Sequence, residues 1–153
     1  MPMLADSQTI INTVHEFCRA FDQRDWPMLL RCLATEIATD YSSFRGTPPA
    51  RMTAKEFVAQ RQSALARLVT QHLSLNHLVE FSGEQATCRF DFVIHRWPVD
   101  TADTRFFRTF GYYDFVLQRA TSAPHGWCIA SITQHALHSE GSAELHGAHR
   151  PVA

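Results

Sequence analysis

Residues 72–97, HLSLNHLVEFSGEQATCRFDFVIHRW, decide the fold, because apolar and polar side chains alternate along most of this stretch. A period of two is typical of β-strands that bury one face. The turn signal Ser82-Gly83-Glu84 divides the stretch into strands at about His72–Phe81 and Ala86–Trp97. The pattern therefore predicts two long neighbouring strands joined by a tight turn.

Two further segments of the same character follow, Phe106–Arg119 and Trp127–Leu137, and both are rich in Val, Ile, Thr and aromatic residues. Turn-forming residues separate these segments from one another and from the first pair. Four successive strands can pair as a meander, so we expect a curved antiparallel sheet. A short strand at Ile37–Tyr41 and a loop at Ser42–Arg51, which contains two prolines, precede them.

The first part of the chain carries helical signals instead. Asp6 or Ser7 can cap a first helix, whose apolar positions recur at helical spacing as far as Phe21. A short second helix starts near Trp26, and the capping box Thr53-Ala54-Lys55-Glu56 starts a third. The sequence therefore predicts an α+β fold in which three N-terminal helices lie on one face of the sheet.

Length and composition limit the domain count and the partners. The 153 residues suffice for one domain, which we place at 1–139, and the Gly-, Ala- and Ser-rich stretch 140–153 is expected to be a flexible tail. The net charge is −1 and no basic stripe is present, which excludes nucleic acid as an expected partner. No apolar run approaches the ~18 residues that cross a bilayer, and the first residues lack the features of a secretory leader. We expect a cytoplasmic protein without a membrane partner.

Cysteines and histidines do not indicate a metal site. The four cysteines are scattered without a C-x-x-C pair, which is typical of reduced core thiols. Among the nine histidines, His72 and His77 lie five apart, so on a strand they point to opposite faces unless a bulge intervenes. We therefore expect neither a metal nor a cofactor.

Four short motifs occur in an order that matches a known family. They are AFDQRDW at 20–26, DYSSF at 40–44, TQH at 70–72 and GWCI at 126–129. Together they resemble the SnoaL-like branch of the nuclear transport factor 2 (NTF2-like) superfamily, and within it the scytalone dehydratases, over roughly Ser7 to Leu137. The resemblance implies a cone-shaped α+β fold whose helices close over the concave face of the sheet and leave a deep apolar pocket. Because this fold also hosts other enzymes and non-catalytic binders, it does not by itself set the activity.

The resemblance also implies catalytic residues. The family's aspartate at the end of the first helix corresponds to Asp22, and the tyrosine of its Asp-Tyr motif corresponds to Tyr41. Its two catalytic histidines correspond to His72 and His95.

Two pocket positions depart from the family pattern. Phe21 replaces a tyrosine whose hydroxyl helps to hold a water against the substrate carbonyl, and Tyr113 stands in place of a pocket asparagine. Strand parity places Tyr113 on the core-facing side of its strand, so Tyr112 or Tyr113 could supply the missing donor. Asp91 shares a face with His95 if no bulge intervenes, and we rank it below Asp22 as a further acid or base.

Dehydration of a β-hydroxy ketone needs a base for the proton next to the carbonyl, a donor for the developing enolate, and an acid for the leaving hydroxide. We hypothesise that Asp22 binds a ring nitrogen of His95 and fixes its tautomer, while His72 faces the other side of the reacting carbons. Tyr41 would polarise the carbonyl.

The leading functional prediction is a cofactor-independent dehydratase (a lyase) or isomerase that acts on a small cyclic hydroxy-ketone of polyketide or steroid type. The alternative is a non-catalytic ligand-binding or association domain. A third hypothesis, epoxide hydrolysis, would depend on Asp91 or Asp22. The expected partners are a small hydrophobic or aromatic-like substrate and, because the family often pairs subunits through one sheet face, further copies of the chain in a homodimer or homotrimer.

Overall fold

A computed structural model describes residues 2–147, and within them it shows four α-helices, six strands and one short 3-10 helix. The helices are α1 (Pro2–Gln23), α2 (Trp26–Arg31), α3 (Ser42–Arg45) and α4 (Ala54–Ala64), and the 3-10 helix is Ala143–Leu145. The strands are β1 (Leu33–Asp40), β2 (Ala50–Thr53), β3 (Leu68–Ser82), β4 (Gln85–Pro98), β5 (Phe107–Arg119) and β6 (Trp127–Gly141). None of these helices is long and apolar enough to cross a membrane.

The six strands form one sheet in the order β2-β1-β6-β5-β4-β3. The antiparallel meander of β3 to β6 confirms the prediction from alternating side chains. β1 joins this meander parallel to β6 and pairs antiparallel with the edge strand β2. Residues 42–51, predicted to be a loop throughout, contain the one-turn helix α3 and the start of β2, which begins directly after Pro49 at the sheet edge.

Irregularities in the strand pairing bend the long strands. The register of β3 against β4 shifts between Leu75 and Leu78, where Asn76 adopts a left-handed φ of 54°. The register of β5 against β6 shifts between Phe110 and Gly111. Because such bulges increase the local bend and twist of a strand, they give the sheet a concave face.

The concave face is covered by helices and holds the core. α1 lies along β3, and α4 packs on β1 and α2. The capping box at Thr53 and Glu56 forms as predicted and starts α4. The largest buried side chains are Phe57, Phe90, Phe107, Phe115 and Trp127. All four cysteines are free and buried, which confirms the prediction of core thiols.

The end of the chain departs from the expected flexible tail. β6 continues to Gly141, because Glu140 and Gly141 still pair with the first residues of β5. After the 3-10 helix, His146 is only 6% exposed and its ring lies 5.5 Å from that of Phe44. The prediction of a tail from residue 140 is therefore wrong for 140–147, and residues 148–153 lie outside the described residues.

Candidate functional site

The last turn of α1 brings a carboxylate against β3. The Asp22 Oδ1 atom lies 2.6 Å from the Nδ1 atom of His72 and accepts a hydrogen bond of 3.0 Å from the Thr70 hydroxyl. The Oδ2 atom accepts the backbone N–H of His72 at 2.8 Å. Three contacts from two strand residues therefore fix both oxygens of this carboxylate.

Arg24 holds the end of α1 in this position. Its backbone is left-handed, with φ at 57°, and its guanidinium reaches across to β3. There it donates to the Thr70 hydroxyl at 3.0 Å and to the carbonyl of Leu68, and it also donates to the carbonyl of Phe21 on its own side. Arg24 thus ties the helix end to the strand that carries His72.

The protonation of His72 follows from its surroundings. Burial lowers the pKa of His72, and the hydrogen bond and charge of Asp22 counteract this only in part, so the imidazole is neutral at pH 7. Because Nδ1 faces a carboxylate, we assign the single ring proton to Nδ1. The Nε2 atom then carries a free lone pair. Phe21 stacks on the imidazole at 5.1 Å and helps to fix the plane of the ring.

His72 lines a small cavity of about 30 Å³ between the helices and the concave face of the sheet. Its apolar wall consists of Phe17, Phe21, Phe44, Leu65 and Ile94. Its polar wall consists of Tyr41, Arg45, Arg61, His72, Arg96, Tyr113, Gln134 and His146. The sequence-predicted residues Phe21, Tyr41, His72 and Tyr113 therefore meet at one cavity, with Asp22 behind His72.

The two tyrosines of the cavity are hydrogen-bond donors at neutral pH. Burial raises the pKa of Tyr41 above its ordinary value, although Arg61 and the Tyr113 hydroxyl counteract it. Burial raises the pKa of Tyr113 as well, and its hydroxyl accepts a hydrogen bond of 2.7 Å from Gln134. Both phenols therefore keep their protons and can stabilise negative charge on a bound molecule.

Two buried arginines complete the cavity, and the sequence reasoning did not identify either of them. Arg61 is 5% exposed and Arg96 is 3% exposed. Arg96 donates to the Thr109 hydroxyl at 2.9 Å, and burial lowers its pKa to about 10. A signal existed for both, because Arg61 falls within the apolar stripe of α4 and Arg96 lies on the same side of β4 as Phe92 and Ile94.

His95 lies on the opposite face of the sheet, so the predicted hydrogen bond between Asp22 and His95 is wrong. Neighbouring strand residues point to opposite faces, and on β4 the inward positions are Ile94 and Arg96. The His95 ring instead stacks on Trp97, with centroids 5.4 Å apart. Asp22 binds His72.

Asp91 also lies on the outer face and outside the cavity, so its predicted role as a further acid or base at the substrate does not fit the structure. Its side chain accepts a hydrogen bond of 2.6 Å from Asn76. The prediction that Asp91 shares a face with His95 is confirmed by the alternation of β4. Of Asp22 and Asp91, only Asp22 is therefore placed where it could activate a water in this cavity.

His77 points inward like His72, because a bulge in β3 lies between them. Without a bulge, their spacing of five residues would place them on opposite faces of the strand. The His77 ring stacks on Phe90 at 5.6 Å and meets His15 edge-on at 5.3 Å. Across residues 2–147, no three His, Cys, Asp or Glu side chains are grouped so that they could hold a metal ion.

Solved structures share this fold. The Kfla4162 protein from Kribbella flavida matches with a TM-score of 0.82 at 21% identity, covering 90% of this chain and 94% of that one. A candidate scytalone dehydratase from Novosphingobium aromaticivorans matches with a TM-score of 0.77 at 11% identity, covering 91% and 89%. A type 2 hexachlorocyclohexane dehydrochlorinase (LinA) matches with a TM-score of 0.73 at 14% identity, covering 94% and 93%. At these identities the likeness establishes the fold alone.

No curated protein matches the chain significantly in sequence. The family model for the SnoaL-like domain, however, matches residues 2–133, which is most of the chain. This confirms the resemblance drawn from the four motifs: the protein belongs to the SnoaL-like family, within the NTF2-like superfamily.

Proposed function

We propose that the protein is a cofactor-independent dehydratase or isomerase that acts on a small cyclic hydroxy-ketone. The observation that carries this proposal is the 2.6 Å contact between Asp22 Oδ1 and His72 Nδ1 at the edge of a cavity that Tyr41 and Tyr113 also line. A carboxylate that holds a neutral imidazole by Nδ1 leaves Nε2 as a general base. The names of two structural neighbours, a candidate dehydratase and a dehydrochlorinase, both denote elimination reactions and support this class.

A single histidine can serve both halves of the reaction. His72 Nε2 takes the proton next to the carbonyl, and the electron pair moves to the carbonyl oxygen, which the hydroxyl of Tyr41 or Tyr113 stabilises. In a dehydration, the resulting imidazolium returns that proton to the departing β-hydroxyl, and water leaves as the double bond forms. In an isomerisation, it returns the proton to a different carbon. The second histidine of the original hypothesis is not needed.

The cavity must enlarge to accept a ring compound. About 30 Å³ is far below the several hundred Å³ typical of sites for drug-sized ligands. The side chains that line the space include the long Arg45 and His146. We expect the substrate to displace such side chains when it binds.

Exchange of carbon-bound protons tests the proposal without knowledge of the natural substrate. The protein is incubated in D2O with a panel of cyclic ketones and β-hydroxy ketones, and NMR follows loss of the protons next to the carbonyl and appearance of the enone. Catalysed exchange or elimination supports the proposal. Ligand-induced shifts of protein resonances without exchange or elimination would instead favour the non-catalytic binding alternative.

We also propose that the outer face of the sheet mediates self-association. Val69, Leu73, Leu75 and Trp97 lie on this face of β3 and β4, and each is between 38% and 51% exposed. An apolar patch of this kind is typical of interfaces. Light scattering after size-exclusion chromatography should give two or three times the chain mass of 17.4 kDa.

Substitution on β3 locates this interface. Leu73→Lys should shift the mass toward that of one chain, whereas Gln62→Lys, at an exposed position on α4 away from this face, is the control and should not. A wild-type protein with the mass of one chain would contradict this proposal.

A further inference from the structure

The cavity beside His72 contains more positive charge than its described surroundings balance. Arg45, Arg61 and Arg96 all line it, and the last two are almost completely buried. Within residues 2–147, none of the three forms an ion pair with a carboxylate. Asp22, which carries the charge nearest to the catalytic histidine, is already bound by His72 and Thr70. Buried charges in proteins are normally paired, so this site is suited to an anionic ligand.

Aromatic rings hold the two buried guanidiniums without neutralising them. The Arg61 guanidinium lies 4.6 Å from the ring centre of Tyr41 and 4.7 Å from that of Phe57. The Arg96 guanidinium lies 5.0 Å from the ring centre of Phe107. Such contacts attract the guanidinium but supply no negative charge to balance it.

The hydrogen bonds of these guanidiniums are incomplete. The Nε atom of Arg61 is buried and has no hydrogen-bond partner within the described part of the chain. The Oε1 atom of Gln134, in the same wall, also lacks a partner there. Arg96 uses one nitrogen to bind Thr109. Polar atoms left unpaired in a buried cavity indicate that a polar ligand completes the site.

The cationic groups also lie next to the proposed base. Arg96 pairs with Thr70 across β3 and β4, two residues from the Ile94–His72 pair. Its positive charge acts on both His72 and Tyr113, which places all three groups in one electrostatic environment. An anion held by Arg96 and Arg61 would therefore lie in the same cavity as His72, with the aromatic wall around the rest of the molecule.

We propose that the ligand of this cavity is a carboxylate-bearing ring compound whose carboxylate is bound by Arg61 and Arg96. That this compound is the substrate rests on the proposed function, whereas the binding of its carboxylate does not. Guanidinium and carboxylate match in geometry and form two parallel hydrogen bonds. A permanent anion balances the buried charge throughout binding, whereas an enolate exists only during the reaction and already has Tyr41 and Tyr113 as donors.

Matched ligands test the carboxylate. Benzoate and 1-naphthoate are titrated against the protein at millimolar concentration by NMR, together with benzamide and 1-naphthamide, which have nearly the same shape and no charge. We expect the carboxylates to bind about 10-fold more tightly than the amides, the effect of one charge-assisted contact. Equal binding of acid and amide, or no binding of either carboxylate, would overturn the proposal.

Matched arginine variants locate the contact. Arg61→Met and Arg96→Met should each weaken carboxylate binding about 10-fold or more. Arg31→Met, at an exposed position on α2 outside the cavity, should leave it unchanged. If a Met variant fails to fold, Arg61→Lys or Arg96→Lys replaces it: the charge is kept but the paired N–H groups of the guanidinium are lost, so carboxylate binding should be weaker than in the wild type. Unaltered binding in folded Met variants would overturn the assignment to these two residues.

The failure of this inference can be distinguished from that of the proposed function. The variant His72→Asn should still bind benzoate while it loses proton exchange on ketones. If no ketone undergoes exchange but the carboxylates bind through Arg61 and Arg96, the lyase or isomerase proposal fails and the anion site stands. If neutral ketones undergo exchange as fast as their carboxylate-bearing analogues and bind as tightly, the anion site fails and the acid–base proposal stands.

Discussion

Replacement of His72 by Asn is expected to lower the rate of proton exchange or elimination by about 100-fold or more, the usual effect of losing a general base. The Asn amide can take the place of Nδ1 but supplies no basic nitrogen at the position of Nε2. Its side chain can still hydrogen-bond to Asp22, which keeps the end of α1 near β3. The measurement is the rate of deuterium incorporation or enone formation with the most active ketone of the panel.

His95→Asn is the matched control for this experiment. It makes the same chemical change one strand away, on the outer face where His95 stacks on Trp97. We expect its rate to equal that of the wild type. A large loss in His95→Asn together with a fully active His72→Asn would contradict the assignment of the base and restore the arrangement first drawn from the sequence.

Asp22→Asn is expected to have an effect of similar size, about 100-fold or more, through the tautomer of His72. The amide can present its NH2 group to Nδ1, and the ring proton then moves to Nε2, where the lone pair is required. The remaining activity should also depend differently on pH. Asp22 raises the pKa of His72 against the lowering by burial, so its neutralisation should move the acidic limb of the pH–rate profile to lower pH.

The direction of this pH dependence follows from the pKa of His72, which lies below its ordinary value of 6.5. The base form predominates above that pKa, so activity is expected at neutral pH and is lost on acidification. Asp91→Asn is the control, because that carboxylate lies on the outer face and contacts Asn76. If Asp91→Asn lost more activity than Asp22→Asn, hydrolysis dependent on Asp91 would replace the present proposal.

Local patterns sufficed to predict the sheet, but not its irregularities. The alternation within 72–97 predicted β3, β4 and the turn between them, since a strand that buries one face leaves this signature. The bulge after Leu75 was not predicted, because strand alternation does not report the left-handed φ that Asn76 adopts there. The extension of β6 to Gly141 was missed for a similar reason: its last residues are stabilised by pairing with β5.

The sequence indicates which residue types form the candidate site, but not on which face of the sheet each residue lies. Tyr41 and His72 line one cavity with Asp22 bound to His72, whereas His95 is displaced by one residue from the inward position that Arg96 occupies. A shift of one residue along a strand moves the side chain to the opposite face of the sheet. A motif comparison that is accurate only to within one position therefore cannot decide on which face a side chain lies. Arg61 was overlooked because a charged residue in a helix is normally exposed.

The most direct test of the central claim is the tautomer of His72, measured through the imidazole 15N and 1H resonances of the protein with 15N-labelled histidine at pH 7. His72→Asn assigns the signals. We predict a neutral ring with a proton on Nδ1, deshielded by its hydrogen bond to Asp22, and an unprotonated Nε2. A proton on Nε2, or a doubly protonated ring at this pH, would leave no base facing the cavity and would contradict the proposed mechanism.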